Sequence, residues 1–359
     1  MRIGLICPYS LSVPGGVQAQ LMGLARAVRA AGEETRVLGP CDGPPPASFV
    51  SPLGKSLSAS ANGSIAPLAP DAPCALRTIR TLRDEDFDVL WVHEPLAPGP
   101  SLTTSIVHPA PIIATFHAAG RSSSYRVVFR PLLMRIIENL DVKFAVSGHA
   151  ADLAASHLGG EYEIVFNAVE IERIRSVSPI VNPHPTVFFC GRHEERKGLA
   201  VLLEAMALLG PDVRCHVASD GPDTVSLKAT FAHDRRIEWL GRISEADKMA
   251  RLAGATAFCA PSLHGESFGV VLVEAMAAGT PVVASSLDGY GNVATNEVDA
   301  LLCPPGDVEA LAIALRRVLD DPATAARLVS AGSRRAEQFS MTALANLYLD
   351  RSRQLLAQP

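Results

Sequence analysis

Residues 265–279, GESFGVVLVEAMAAG, contain the most informative pattern in this chain. Glycines flank a turn that opens an amphipathic helix, and Gly279 is placed to end that helix. The first N–H groups of a helix have no intrahelical acceptor, so this helix start suits phosphate oxygens and sugar hydroxyls. Glu266 precedes the helix, and Glu274 lies about 12 Å further along its axis at roughly 1.5 Å per residue. One long ligand could therefore contact both carboxylates, although a structural ion pair would also explain Glu274.

Short apolar runs alternate with longer amphipathic ones throughout the chain. The apolar runs lie at residues 2–7, 35–38, 89–92, 112–115 and 144–146, and again at 186–190, 214–218, 257–260 and 281–285. This alternation of strand and helix predicts an α/β protein made of two Rossmann-like, doubly wound domains that face each other across a cleft.

The domain boundaries follow from composition. We expect the first domain at residues 1–176, a linker at 177–185 and the second domain at 186–340. The linker contains three prolines, which is typical of a domain boundary. Residues 341–359 are expected to form a helix that returns to the first domain. Residues 41–73 are rich in Pro, Gly, Ser and Ala, so we expect them to be irregular and at the surface.

The overall composition argues against several classes of protein. A net charge of −5 makes nucleic-acid binding improbable, because such binding needs an excess of Lys and Arg. Every long apolar run of the sequence is interrupted by a charged residue, so a membrane-spanning helix is not expected. The first apolar run ends at Pro8, too early for a secretory signal, which indicates a cytoplasmic location. The seven cysteines are scattered and contain no C-x-x-C pair, so neither a disulfide framework nor a metal site is expected.

Two glycine-rich turns could bind anions. Residues 191–198, GRHEERKG, follow a predicted strand, at the sheet edge where α/β proteins bind ligands. Arg192 and Lys197 there could neutralise a leaving diphosphate, although a solvated charged loop is the alternative. Gly15 and Gly16 follow the first strand and would let an anion approach the next helix, but a tight turn also needs glycine.

Two further patterns lie in the first half. His117 ends a buried strand, so its imidazole could donate to a sugar hydroxyl or an acceptor; a structural histidine is the alternative. A second pattern places three arginines at a spacing of three with leucine and isoleucine beside them, as in a helix that lies on anionic lipid. A solvated face would look the same. The residues are Arg77, Arg80 and Arg83, with Leu76, Ile79 and Leu82.

Two motifs that indicate other enzymes fail in context. Residues 265–269 match the G-x-S-x-G elbow of α/β-hydrolases, whose catalytic histidine follows the serine. All ten histidines precede Ser267, which excludes that class. Residues 289–294, GYGNVA, fit a dinucleotide fingerprint, but no clear helix follows them and no acidic residue stands at the required distance.

Taken together, the Gly-Gly turn, the Gly-Arg-x4-Lys-Gly loop and the Glu266-x7-Glu274 pair resemble the family-4 retaining glycosyltransferases of the GT-B fold. The resemblance covers nearly the whole chain. It is strongest to the actinobacterial members that mannosylate phosphatidylinositol, through residues 7–10, 13–18, 62–64, 86–90, 93–95 and 114–117.

The resemblance implies a reaction and a location. The donor would be GDP-mannose and the acceptor O2 of the inositol ring of phosphatidylinositol, with retention at the anomeric carbon. The enzyme would be peripheral to the inner face of the cell membrane, with the first domain facing acceptor and membrane. No cofactor or bound metal would be required, although a non-specific divalent cation could accompany the nucleotide sugar.

The resemblance also implies roles for individual residues. Arg192 and Lys197 would hold the diphosphate, with Gly16 closing over it. Lys248 would lie near guanine and Glu274 would hold ribose. Mannose would be held by Glu266 and the amides of Phe268, Gly269 and Val270, and His117 would assist at the reacting sugar. The inositol phosphate pocket would be lined by Tyr9, Gln18 and Asn62.

Two positions depart from the family pattern near the acceptor. Pro67 stands where the family has an arginine, and Ser12 replaces an acidic residue. One alternative is therefore a family-4 transferase that uses another nucleotide sugar and a soluble or different lipid acceptor. Another is a non-catalytic module that binds sugar nucleotides, although the intact Arg192, Lys197 and the two glutamates favour an enzyme.

Overall fold

The computed structural model describes residues 1–13, 15–61, 64–118, 130–266 and 268–357. It contains two compact units, Met1–Ala168 with Met341–Pro359, and Val169–Ser340. The second unit begins before the stretch predicted as a linker. That stretch is packed against the second unit, because the Ile180 N–H donates to Ala250 O (2.9 Å) and Asn182 Nδ2 donates to Gly254 O (2.8 Å).

The first unit is built on a parallel sheet of seven strands within the described residues, in the order β3-β2-β1-β6-β7-β8-β9. Its strands are β1 (Arg2–Ile6), β2 (Glu34–Gly39), β3 (Val50–Pro52), β6 (Val89–His93), β7 (Ile112–Phe116), β8 (Val142–Ala145) and β9 (Glu163–Ile164), with a separate antiparallel hairpin of β4 (Leu57–Ala61) and β5 (Ser64–Leu68). Its helices are α1 (Gly16–Ala30), α2 (Ala72–Glu85), α3 (Pro100–Val107), α4 (Arg130–Glu138), α5 (Gly148–Leu158) and α14 (Met341–Leu356).

The second unit repeats this architecture on six parallel strands, in the order β12-β11-β10-β13-β14-β15 among the residues the structure describes. The strands are β10 (Thr186–Cys190), β11 (Arg214–Ala218), β12 (Ile237–Gly241), β13 (Ala257–Ala260), β14 (Val282–Ser285) and β15 (Leu301–Cys303). The helices are α6 (Ile171–Arg175), α7 (Leu199–Met206), α8 (Thr224–Thr230), α9 (Glu245–Gly254), α10 (Val270–Ala277), α11 (Asp288–Gly291), α12 (Val308–Asp320) and α13 (Pro322–Glu337). The predicted α/β class with two Rossmann-like domains is confirmed.

The central strands of both sheets are buried on both faces, as parallel sheets covered by helices require. In the first unit α14 completes the core from the far end of the sequence. Trp91 Nε1 on β6 donates to Ser352 Oγ (3.0 Å), and Thr115 Oγ1 on β7 is 2.6 Å from Tyr348 OH. These bonds give the buried polar atoms partners, so α14 is an integral part of the first unit.

The stretch at residues 41–73, expected to be irregular, contains β3 and the β4–β5 hairpin. That expectation was wrong for these strands. Strand β3 pairs with β2, with Val50 opposite Val37, and Tyr9 forms an isolated bridge to Leu68 at the end of the hairpin. Pairing with the sheet and with the loop after β1 supplies order that composition does not reveal.

Across the described ranges, no helix is long and apolar enough to cross a membrane. In the same ranges, no group of three or more His, Cys, Asp or Glu side chains could hold a metal ion.

Candidate active site

The loop at residues 191–198 is fixed by glycine. It leaves β10, passes through one turn of 3-10 helix (Glu195–Lys197) and ends at Gly198, whose φ is +65°. A Cβ on Gly198 would lie 1.9 Å from the carbonyl oxygen of Pro261, so no side chain fits there. The loop can therefore approach the segment after β13, which carries Glu266.

This approach pairs two of the predicted residues. Lys197 Nζ is 2.5 Å from Glu266 Oε1, and Ser262 Oγ donates to the same oxygen at 3.0 Å. Arg196 Nη1 lies 3.5 Å from it. The Lys197 and Glu266 side chains are 21% and 12% exposed, so the pair is largely shielded from water. Arg192 is 49% exposed, and its Nε is 3.6 Å from Glu194 Oε2.

Helix α10 begins immediately after this pair. Gly269 is its N-cap, with φ +95°, and a Cβ there would lie 2.7 Å from Tyr290 Cδ1. No side chain caps the helix among the described residues, which leaves the positive end of its dipole for an anion or a polar ligand. The Phe268 ring is buried and packs edge-to-face on Phe339 at 5.4 Å, so Phe268 can offer a ligand only its backbone.

A second lysine–glutamate pair lies further along α10. Lys248 Nζ is 3.0 and 3.1 Å from the two oxygens of Glu274 and 2.9 Å from Glu245 Oε2. Burial raises the pKa of Glu274, and the Lys248 ammonium limits the rise. Burial also disfavours charge on Lys248, but attraction to Glu274 and Glu245 raises its pKa overall. Lys248 and Glu274 therefore form the structural ion pair that was weighed for Glu274.

In the first unit the predicted His117 follows β7 and contacts His93, the last residue of β6. His93 Nδ1 is 2.8 Å from His117 Nε2, and the rings stack with centroids 5.0 Å apart. Glu94 Oε1 accepts the His117 backbone N–H at 2.7 Å. Burial raises the pKa of Glu94 to about 7 and lowers that of His117 to about 4. At neutral pH His117 is thus an uncharged imidazole.

The loop after β1 and the first turn of α1 carry two of the predicted acceptor residues, Tyr9 and Gln18. Gln18 is buried on α1 and donates through Nε2 to Ser10 O at 3.3 Å. Burial raises the pKa of Tyr9, with a contribution from Glu94. Gly16 opens α1, and among the described residues no atom lies within 4 Å of where its Cβ would be, so these residues leave its backbone accessible. The third acceptor residue, Asn62, lies outside the described residues, as does Ser267.

Both departures from the family pattern take part in local hydrogen bonds. Ser12 Oγ accepts the N–H groups of Asp42 and Gly43 at 3.1 Å each, and the Pro67 carbonyl accepts the Ser10 N–H at 2.9 Å. Asp42 accepts from Ser10 Oγ at 2.6 Å. Burial opposes its charge, yet hydrogen bonds from Ser10 and Ser56 lower the pKa of Asp42. An anionic carboxylate therefore lies beside Ser12, contributed by a different residue.

The three arginines on α2 are exposed but differ in their partners. Arg77 Nε donates to Leu53 O at 2.5 Å, and Arg80 Nε is 3.4 Å from Asp84 Oδ2. Leu82, expected beside the arginines on the lipid-facing surface, is buried in the core of the first unit. Only Leu76 of the accompanying apolar residues is strongly exposed, so the apolar part of this surface is smaller than predicted.

Two family models match the chain: glycosyl transferases group 1 over residues 170–335, and glycosyltransferase family 4 over residues 14–173. The phosphatidyl-myo-inositol mannosyltransferase of Mycobacterium leprae is 38% identical over 96% of this chain and 95% of its own length. That of Mycolicibacterium smegmatis is 36% identical over 94% of this chain and 90% of its own length. The chain belongs to the phosphatidyl-myo-inositol mannosyltransferase family.

Solved structures support the fold of this mannosyltransferase family member. Sucrose-phosphate synthase from Thermosynechococcus elongatus superposes with a TM-score of 0.77 at 21% identity, covering 100% of both chains. HepE from Anabaena, in complex with UDP and glucose, gives 0.76 at 19% identity, covering 99% of this chain and 100% of that one. The predicted family and the glycosyltransferase class are confirmed by the sequence relatives, and the fold by these structures.

For this mannosyltransferase family member, the structure brings together site residues that were predicted separately. Lys197 contacts Glu266, and Lys248 contacts Glu274. Sequence reasoning missed the partners Arg196, Ser262 and His93. Arg196 stands in the charged loop and His93 in a His-Glu-Pro segment, so both gave a signal. Ser262 gave none.

Proposed function

We propose that this glycosyltransferase moves mannose from GDP-mannose to O2 of the inositol ring of phosphatidylinositol, with retention, at the inner face of the cell membrane. The observation that carries the proposal is the presence of two lysine–glutamate contacts, Lys197 with Glu266 just before α10 and Lys248 with Glu274 on α10. They combine cations for a diphosphate with carboxylates for hydroxyl groups. The names of the relatives support the choice of mannose and phosphatidylinositol.

In the proposed donor site, Lys197 and Arg192 neutralise the diphosphate and the start of α10 adds N–H donors. Glu274, held by Lys248, accepts from the ribose hydroxyls, and Lys248 lies near guanine. Glu266 accepts from mannose. Its Oε1 already takes hydrogen bonds from Lys197 and Ser262, so Oε2 is the oxygen available to the sugar.

The proposed chemistry needs no protein nucleophile. The bond between mannose C1 and the phosphate oxygen breaks, a bond from the inositol O2 to C1 forms on the same face, and the O2 proton passes to the leaving phosphate. Glu266 is engaged with Lys197, which makes it a poor nucleophile. The protein's contribution is charge stabilisation of the leaving diphosphate, a large term in such reactions. No cofactor enters these steps.

The acceptor is proposed to bind the first unit. Tyr9, Gln18 and Asn62 would line the inositol phosphate pocket, the backbone at Gly16 offers an anion contact, and His117 assists the transfer. Arg77, Arg80 and Arg83 would face anionic lipid. Ser12 and Pro67 favour one alternative, a different acceptor, because the family's acidic residue and arginine are absent there.

The test is transfer of radiolabel from GDP-mannose to phosphatidylinositol vesicles, with UDP-glucose and a soluble inositol phosphate in parallel. Labelled lipid formed only with GDP-mannose supports the proposal. Labelled soluble product, or transfer from UDP-glucose, would favour the alternative transferase. Donor binding without any labelled product would contradict the proposed acceptor and direct attention to Ser12 and Pro67.

A further inference from the structure

His93 and His117 of the first unit form a contacting pair, in which His93 is buried and His117 is half-buried. His93 is 1% exposed, and its Nδ1 lies 2.8 Å from Nε2 of His117. The next residue, Glu94, has φ +48°, a conformation that costs energy for a residue with a side chain. Two hydrogen bonds hold Glu94 in this conformation. Its Oε1 accepts the His117 backbone N–H (2.7 Å), and its own backbone N–H donates to Thr115 O (2.8 Å). The strained turn therefore holds His93 and His117 together.

One N–H proton lies in the hydrogen bond between the two rings. Burial lowers the pKa of both histidines, so both are neutral at neutral pH. Each neutral ring carries one N–H, which leaves two arrangements. Either His93 Nδ1–H donates and His117 carries its own proton on Nδ1, or His117 Nε2–H donates and His93 carries its proton on Nε2.

The surroundings of His93 distinguish the two arrangements. Its Nε2 is buried and has no hydrogen-bond partner among the described residues. The second arrangement would place a proton on this atom and leave a buried N–H without an acceptor. Orphaned buried N–H groups are rarer than buried acceptors without a donor, so the first arrangement is favoured.

We propose that His93 is a positioning residue, which fixes His117 in the tautomer protonated on Nδ1. The inference rests on the proposed function, in which His117 contacts the reacting sugar or its acceptor. Because Nε2 of His117 is occupied by His93, Nδ1 is the nitrogen left for a ligand. His117 then offers a hydrogen-bond donor to a substrate oxygen and does not act as a general base, which agrees with proton transfer to the leaving phosphate.

The test is nuclear magnetic resonance of protein labelled with nitrogen-15 at histidine, at neutral pH, which identifies the protonated ring nitrogen. The wild type is compared with His93→Asn, whose amide nitrogen can still donate to His117, and with His93→Leu, which cannot. We expect His117 to be protonated on Nδ1 in the wild type and in His93→Asn. In His93→Leu the proton should move to Nε2 and the transfer rate should fall roughly tenfold or more, as for other wrongly protonated catalytic histidines.

A wild-type His117 protonated on Nε2, or an unchanged tautomer in His93→Leu, would overturn the proposal. If His93→Leu does not fold, the wild-type and His93→Asn spectra still decide the tautomer. Failure of the proposed function is detected separately by the radiolabel transfer assay with the wild type, and the role of His117 in it by His117→Ala. Normal transfer by that variant would remove His117 from the reaction whatever the spectra show.

Discussion

The environment of Lys197 allows us to predict how its loss would affect the use of the donor. Its ammonium is held by Glu266 and by the turn before Gly198, so it is preoriented for a diphosphate. For Lys197→Ala we expect kcat/KM for GDP-mannose to fall about 100-fold, or about 2.7 kcal/mol, as for loss of one charge-stabilising donor. Steady-state kinetics measure this. Arg316→Ala, an exposed arginine of α12 in the same unit, is the control. Normal kinetics of Lys197→Ala would remove the lysine from the donor site.

The buried carboxyl group of Glu94 should make the stability of the first unit depend on pH. Burial raises its pKa from 4.5 to about 7 in the folded protein, so folding favours its protonated form. The associated stability is fully present below pH 4.5 and is lost as pH rises through about 7, amounting to about 3 kcal/mol at 1.36 kcal/mol per pKa unit. Glu94→Gln keeps an acceptor for the His117 N–H but cannot ionise. The variant should therefore gain about 2 to 3 kcal/mol relative to the wild type between pH 5 and pH 8.

Amide hydrogen exchange of β6 and β7 at each pH gives the free energy of opening near Glu94. His93 and His117 titrate in both proteins, so the difference between variant and wild type isolates Glu94. An identical dependence on pH in the two proteins would mean that Glu94 stays ionised.

The motifs of the candidate site were easier to recognise in the sequence than the contacts between their residues. Gly-Arg-x4-Lys-Gly and Glu266-x7-Glu274 are local patterns, because the backbone of one loop or one helix fixes their spacing. Lys248 and Glu274 are on different helices, and their contact depends on how α9 and α10 pack against the sheet. The same limit explains why Asp42, which binds Ser10 and lies near Ser12, had no signal in the sequence.

At the scale of elements, the loop between β10 and α7 depends on Gly198 for more than its φ. Gly241 at the end of β12 provides a matched comparison, since it has the same φ of +65° but no atom of the described part of the chain within 4 Å of its Cβ position. Gly241→Ala should cost about 1 to 2 kcal/mol of stability from backbone strain alone. Gly198→Ala also forces a clash with Pro261 O, so it should cost about 2 kcal/mol more and weaken GDP-mannose binding. Denaturation and binding titrations of both variants measure the difference, and equal costs would contradict the role of the close approach.

The exposed arginines of helix α2 are predicted to contribute to binding of anionic membranes. Arg77 is tied to Leu53 O, so Arg80 and Arg83 are the arginines to test. Arg80→Ala with Arg83→Ala should weaken binding to anionic vesicles about 30-fold, at roughly 1 kcal/mol per arginine, and less at high salt. Vesicle co-sedimentation measures this. The control is Arg316→Ala with Arg334→Ala, two exposed arginines of the second unit. Equal loss in both double variants would indicate a non-specific charge effect.

The elements themselves were largely predictable because buried parallel strands are continuous apolar runs and their crossover helices are amphipathic. Strand β1 was expected at residues 2–7 and is Arg2–Ile6. The β4–β5 hairpin escaped prediction, since its small and polar residues carry little strand propensity and its order comes from pairing.

At the scale of the whole molecule, the first unit is discontinuous in sequence, because α14 returns to it after the complete second unit. Leu349 on α14 is 2% exposed in the core of the first unit, whereas Leu356 on the same helix is 42% exposed.

Leu349→Asp would bury a charge without a partner, which should cost about 4 kcal/mol or more. We expect hydrogen exchange to accelerate in β1, β6 and β7 but not in β13 and β14, and GDP binding to persist while transfer to phosphatidylinositol is lost. Leu356→Asp should leave both units unchanged. If Leu349→Asp instead destabilises both units equally, they fold as a single cooperative unit, and the loss of transfer could not be assigned to the first unit.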